Sequence, residues 1–115
     1  MSIVKVDIDV PVEEFNVEDF IKRASFISDI LGVDLGPIAV LESQGGNVHI
    51  VARAPEVLPS WVIVAIQFAL GSDWYREVYN VRRLMRGQEN WNILFDHELV
   101  EYYIRTSTPK VINDE

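Results

Sequence analysis

The chain has 115 residues, of which 49% are hydrophobic, so we expect a single domain that buries a core of its own. Its net charge of -8 argues against broad nonspecific binding to nucleic acid, because such binding depends on Lys and Arg that neutralise phosphates. The absence of cysteine excludes disulfides and cysteine-ligated zinc. No signal peptide is visible, and the apolar run from Trp61 to Leu70 is too short to span a bilayer, so we expect a cytoplasmic protein without a membrane partner.

The first predicted element is a strand, because apolar and polar residues alternate strictly from residue 4 to residue 10. Its buried face would consist of Val4, Val6, Ile8 and Val10. Its exposed face would carry Lys5, Asp7 and Asp9. Two carboxylates two residues apart repel each other unless a cation or a raised pKa relieves the repulsion. The pair therefore predicts either a site for Mg²⁺ or Mn²⁺ or a solvated strand face of an acidic protein.

A helix and a hairpin are predicted next. Asn16 is a candidate N-cap, and Gly32 a candidate C-terminal stop, for a helix over residues 17–31. Residues 38–43 and 47–54 predict two strands on either side of a glycine turn, where glycine supplies positive φ.

The second half of the chain predicts two more helices. Pro59 opens an apolar segment rich in Val and Ile, for which a strand is the alternative. After Gly71, either Ser72 or Asp73 caps a third helix. The inner face of this helix is expected to consist of Trp74, Val78, Val81 and Met85. Residues 91–95 predict a strand, and residues 99–105 a strand or a short final helix.

This order of elements matches the split βαβ arrangement, which is ferredoxin-like and RRM-like and belongs to the α+β class. We expect one domain over residues 1–106 and a polar tail over residues 107–115. The sheet would be four-stranded and antiparallel, with helices on one face and the other face open. Its first and third strands would be neighbours in the centre.

The open face would collect polar residues from those two central strands. His49 and Arg53 of the third strand would join Lys5, Asp7 and Asp9 of the first. The aspartates would hold a divalent cation, His49 would donate a hydrogen bond to a phosphate, and Arg53 would neutralise its charge. That set suits metal-assisted phosphoryl or nucleotidyl transfer. The alternative for His49 is a partly exposed histidine at the edge of the core.

Two further observations bear on nucleic-acid chemistry. The open face of the two central strands carries no aromatic residue, which argues against an RNA-recognition module that stacks bases. On the third helix, a second polar set recurs at three- and four-residue spacing: Asp73, Arg76, Asn80 and Arg83. It predicts either a phosphate-contacting patch or an exposed helix face. Asp73 is either a metal ligand or a helix N-cap.

These motifs together resemble the archaeo-eukaryotic primase, or primase-polymerase, superfamily. Val6-Asp7-Ile8-Asp9 resembles its first motif, and the segment Glu42 to Ile50, which contains His49, is similar to its second. Residues of the later region follow the order seen in some plasmid and phage branches: Leu70-Gly71-Ser72-Asp73, Arg76, Asn80 to Arg83, and Asn92 to Phe95. The resemblance implies a minimal or divergent member that serves DNA replication, often on plasmids and viruses.

The resemblance also implies roles for individual residues. Asp7 and Asp9 would bind Mg²⁺ or Mn²⁺, with Asp73 as third ligand and Asp96 as the second choice. His49 would contact the phosphates of a nucleoside triphosphate, assisted by the basic residues Arg53, Arg83 and Lys5. The partners would be the triphosphate and a DNA template, with a homodimer or another replication protein as further partners. The competing hypothesis is a catalytically inactive ferredoxin-like module for protein interaction or dimerisation.

Overall fold

The computed structural model describes residues 1–93 and 97–104, which form an antiparallel sheet and three α-helices. In chain order the elements are β1 (Ser2–Pro11), α1 (Val17–Leu31), β2 (Ile38–Ser43), β3 (Asn47–Ala54), α2 (Ser60–Ala69), α3 (Trp74–Met85) and β4 (His97–Ile104). A short 3₁₀ turn, Val12–Glu14, follows β1. No helix in these residues is both long enough and apolar enough to cross a membrane.

The prediction of a ferredoxin-like, RRM-like sheet is wrong, although the α+β class stands. The core of the sheet is the three-stranded antiparallel unit β1-β3-β2, and β4 joins beside β2, so the strand order is β1-β3-β2-β4. The predicted fold requires β1 in the centre, whereas here β1 lies at an edge. The predicted pairing of β1 with β3 is confirmed, and it places Asp7 directly opposite His49.

The outer edge of β1 explains this correction, because side chains occupy the place of a neighbouring strand. The main-chain N–H of Lys5 donates to Gln67 Oε1 at 2.9 Å, and the N–H of Asp7 donates to Ser72 Oγ at 3.0 Å. The carbonyl of Lys5 accepts from Arg76 Nη1 at 3.0 Å. Unpaired edge groups are a template for another strand, so this side-chain cover excludes a strand from that edge.

The core lies between the sheet and the helices. The alternating residues Val4, Val6, Val48 and Ile50 are fully buried on the helix-facing side of β1 and β3. Each such side chain stabilises the fold by about 1.5–3 kcal/mol through burial. The predicted N-cap of α1 is confirmed, since Asn16 Oδ1 accepts from the N–H of Asp19 at 3.0 Å.

The buried face of α3 is the opposite of the predicted one. The apolar stripe expected on its inner face is exposed, namely Trp74, Val78, Val81 and Met85. The buried side chains are instead Arg76, Glu77 and Asn80. The reason is that α3 packs beside the edge of β1, whose main-chain groups need hydrogen-bond partners that apolar side chains cannot supply.

Three other expectations have clear outcomes. The apolar segment after Pro59 is a helix, α2, so its strand alternative is wrong. Residues 91–93 are not in a strand, and the rest of the strand predicted over 91–95 lies outside the described residues, as do Asp96 and the tail over 107–115. For residues 99–105 the strand alternative is confirmed up to residue 104 by β4.

Candidate functional site

A pocket of about 400 Å³ opens between β1 and α3. Its walls are formed by Asp7, Asp73, Tyr75, Arg76, Tyr79, Arg83 and Ile93. Four of the residues singled out from the sequence therefore share one concave surface: Asp7, Asp73, Arg76 and Arg83. Ligand sites of this kind place a few polar groups in a mostly apolar cavity.

The turn between α2 and α3 brings Asp73 to Asp7. Gly71 has φ +91°, a conformation that favours glycine, and it reverses the chain after α2. The N–H of Asp73 then donates to the carbonyl of Asp7 at 2.6 Å. The carboxylate of Asp73 accepts from the N–H of Tyr75 at 3.2 Å, so the N-cap role of Asp73 is confirmed. Its role as a metal ligand stays a prediction.

The surroundings of Asp7 disfavour the charged form of its carboxyl group. Burial is the main cause that raises the pKa of its carboxyl group, and repulsion from Asp73 adds to it. Asp9 and Glu77 raise this pKa further, while Arg76 opposes them. A cation beside the two carboxylates would relieve the repulsion.

His49 lies beside Asp7 on the neighbouring strand. Its Nε2 is 3.6 Å from Asp7 Oδ1, which is beyond hydrogen-bond distance, and the residue is only 4% exposed. His49 does not line the pocket. Its predicted contact with a phosphate stays a prediction.

Because the folded protein disfavours the charged form of Asp7, we expect Asp7→Asn to stabilise the metal-free fold at neutral pH. The folded-state pKa is raised above the ordinary value of 3.8, so the folded protein holds more protons and stability falls as pH rises through the window between the two values. The asparagine of the variant does not titrate, so its free energy of unfolding at pH 7 should rise by up to about 1.4 kcal/mol per unit of pKa shift. Chemical denaturation across pH measures it, with the exposed Asp34→Asn as control. A variant less stable than the parent at pH 7 would contradict the idea.

The other predicted site residues lie outside the pocket. Asp9 is exposed, and its Oδ1 accepts from Asn47 Nδ2 at 3.0 Å. Lys5 Nζ donates to the carbonyl of Asn92 at 2.8 Å, and burial together with nearby Arg76 lowers the pKa of Lys5. Arg53 is exposed four residues beyond His49 along β3, which is roughly 13 Å at about 3.3 Å per residue. The structure thus does not join Arg53 to the pocket.

A network of buried polar side chains lies beside the pocket, and the sequence analysis did not predict it. Glu77 is fully buried, and its carboxylate is paired with the guanidinium of Arg76. It also accepts from Gln67 Nε2 at 2.8 Å, from Ser72 Oγ at 2.7 Å and from Asn80 Nδ2 at 3.1 Å. The predicted phosphate-contacting patch on α3 is thus divided. Arg76 and Asn80 belong to this network, although Arg76 also lines the pocket, and Arg83 lines the pocket.

Two tyrosines complete the pocket and were also missed. Tyr75 and Tyr79 lie one helical turn apart with ring centroids separated by 6.2 Å, and both are exposed. Their four-residue spacing on a helix was visible in the sequence and places them on one face. Exposed aromatic rings beside an arginine can stack on a nucleobase.

The donor set decides which metal chemistry fits. Within residues 1–93 and 97–104, no group of three or more His, Asp or Glu side chains is arranged to hold a metal ion. Asp7 and Asp73 supply carboxylates at the pocket wall. Mg²⁺ is typically held by one or two carboxylates together with the phosphates of a substrate, so these residues fit an ion that arrives with a nucleotide.

Comparisons of the chain with protein-family models, with curated proteins and with solved structures each found no match. The side chains of the pocket between β1 and α3 are therefore the evidence on function.

Proposed function

We propose that this pocket binds a nucleoside triphosphate together with Mg²⁺ or Mn²⁺, as the nucleotide site of a primase-polymerase-like nucleotidyltransferase in DNA replication. The observation that carries the proposal is the juxtaposition of Asp7 with Asp73 on one wall of a pocket that Arg83 and two tyrosines also line. Opposed charges across a concave surface suit a metal–phosphate complex.

The carboxylates hold the metal in this proposal. Burial is the main cause of the raised pKa of Asp7, and repulsion from Asp73 is the next largest. A bound divalent ion would neutralise negative charge on the phosphates of the nucleotide. Asp9 is within electrostatic range of Asp7 but is exposed and bonded to Asn47, so we assign it a supporting charge.

Arg83 is the arginine assigned to the phosphates. Arg76 is not assigned to the phosphates, because its guanidinium pairs with Glu77 and donates to the carbonyls of Lys5 and Ile93. Arg83 Nη1 donates to Asn80 Oδ1 at 2.9 Å, which directs the guanidinium along the pocket wall. Its remaining N–H groups are suited to phosphate oxygens, and the exposed ring of Tyr75 or Tyr79 to the base.

The reaction that follows from this arrangement is nucleotidyl transfer. A hydroxyl oxygen of the growing strand forms a bond to the α-phosphorus, the bond from that phosphorus to the bridging oxygen breaks, and pyrophosphate leaves. The hydroxyl proton passes to water, because Asp7 and Asp73 are assigned to the cation in this proposal.

Titration calorimetry with Mn²⁺ and a nucleoside triphosphate tests the proposal. We expect measurable binding of the triphosphate only when Mn²⁺ is present, and loss of at least tenfold in affinity for Asp7→Asn and for Asp73→Asn. Asp34→Asn, an exposed aspartate far along the chain from both, serves as the matched control. No binding at millimolar triphosphate, or equal loss in the control, would refute the site.

The competing hypothesis, a catalytically inactive module for protein interaction, is tested by the same titration. It is favoured by the lack of a three-residue metal group among the described residues and by the exposed apolar stripe of α3. It predicts no nucleotide binding. Binding without template-dependent synthesis in a primer-extension assay would instead indicate a nucleotide-binding domain without polymerase activity.

A further inference from the structure

The outer surface of the helices is apolar to an unusual degree. Six of its exposed large side chains form what we term the helical patch: Phe26, Ile30, Trp61, Phe68, Val81 and Met85. From their exposed fractions they present roughly 700 Å² of apolar surface, taking about 150–250 Å² for a large side chain. The largest patch on a typical monomer is about 300–600 Å², so this one lies near or above the top of the usual range.

The centre of the patch is α2, which has no charged residue. Trp61, Ala65 and Phe68 follow helical spacing along its outer face, and Trp61 is 72% exposed. A helix that is apolar on all sides is normally buried on all sides. The inner side of α2 packs on the sheet, and its outer side is covered by nothing among the described residues.

Two apolar grooves flank Trp61. One, of about 380 Å³, lies between α1 and α2, and the other, of about 500 Å³, lies between α2 and α3. Trp61 and Ala65 border both grooves, and every residue that lines either groove is apolar. A small-molecule site would need a few converging polar groups, which these grooves do not offer.

We propose that the helical patch is the interface of a two-fold symmetric homodimer, with a second copy of this chain as its occupant. The patch is self-complementary, because a protruding tryptophan stands beside grooves that can receive the same residue of the other copy. A two-fold axis that runs beside α2 places each Trp61 in a groove of the other protomer. The exposed area of roughly 700 Å² is close to the roughly 800 Å² per partner of a stable interface.

Charges of both signs flank the patch in a chain whose net charge is -8. Asp29 precedes Ile30 on α1, Arg82 follows Val81 on α3, and Arg86 follows Met85. The patch itself combines aromatic residues with Met85, the composition typical of an interface core.

Sedimentation equilibrium of the full chain tests the dimer. We expect a mass of twice the 13.2 kDa chain at micromolar concentration, and a dimer at least about 30-fold weaker for Trp61→Glu, the size of loss expected of a central tryptophan. The matched control is Val57→Glu, which adds the same charge at an apolar residue that is 84% exposed outside the patch. Circular dichroism establishes that each variant is folded.

A second variant covers the case in which Trp61→Glu does not fold. The chain has no cysteine, so Ala65→Cys introduces a single thiol beside the expected axis. Oxidation should cross-link Ala65→Cys into dimers and leave Val57→Cys monomeric. A parent chain that stays monomeric at several hundred micromolar overturns the proposal, as does a dimer insensitive to Trp61→Glu, or equal cross-linking of both cysteine variants. A monomer that sediments with phosphatidylcholine vesicles also overturns it and assigns the patch to a membrane.

Discussion

Glu77→Ala is expected to lower the free energy of unfolding by about 3–5 kcal/mol, the range observed when one partner of a buried ion pair is removed. Glu77 is fully buried, and its carboxylate balances the buried guanidinium of Arg76. Without it, Arg76 is left as an uncompensated charge, and burial already lowers the pKa of that guanidinium. Gln67, Ser72 and Asn80 each lose a hydrogen bond as well.

Thermal and chemical denaturation measure this loss. A fall in Tm of at least about 10 °C is expected for a domain of this size. Glu89→Ala, at an exposed position after α3, removes the same charge without breaking a buried pair and should change stability by less than about 0.5 kcal/mol. If the two variants were equally stable, the network would not hold α3 against β1.

Local structure followed from the sequence, whereas the order of the strands did not. Strict alternation identified the buried face of β1, and Asn16 and Gly32 marked the ends of α1, because these are properties of neighbouring residues. Which edge of β1 remains without a strand depends on contacts more than sixty residues apart, such as that of Lys5 with Gln67. No local pattern encodes such pairs.

The orientation of α3 failed for a related reason. Hydrophobic periodicity assumes that the apolar stripe of a helix faces the core. In α3 the polar stripe faces inward instead, because Arg76 donates a hydrogen bond to the carbonyl of Lys5 at the edge of β1. The same inversion turns Met85 outward, so one packing arrangement creates both the buried network beside the pocket and part of the helical patch.

The candidate site was predicted in part. Asp7 and His49 could be placed together because alternating strands that pair bring specific residues opposite each other. The proximity of Asp73 to Asp7 was expected only from the resemblance to primase-polymerases. It depends on the turn at Gly71, whose positive φ brings Asp73 next to Asp7. Arg53 was misplaced, because sharing a sheet face does not bring residues close when four positions separate them along a strand.

Arg83→Ala is expected to weaken the binding of a nucleoside triphosphate about tenfold to a hundredfold in the presence of Mn²⁺. A charge-assisted hydrogen bond to a phosphate contributes about 1.5–3 kcal/mol, which converts to a loss of that size. Arg83 lines the pocket and is partly exposed, but it donates to buried Asn80, so circular dichroism must establish that the variant is folded. Titration calorimetry with the folded variant measures the change.

Arg82→Ala provides the matched control for this prediction. Arg82 is the preceding residue on α3 and is exposed, but it does not line the pocket. A general effect of positive charge on an acidic protein would weaken triphosphate binding about equally in both variants, because the two charges lie close together and long-range attraction depends little on direction. A direct contact weakens binding in Arg83→Ala alone. Raising the salt concentration sharpens the comparison, since screening suppresses the long-range contribution before it affects a contact inside the pocket. Equal losses that vanish at high salt would therefore remove Arg83 from the site, whereas a loss confined to Arg83→Ala that persists in salt would place the phosphates against its guanidinium.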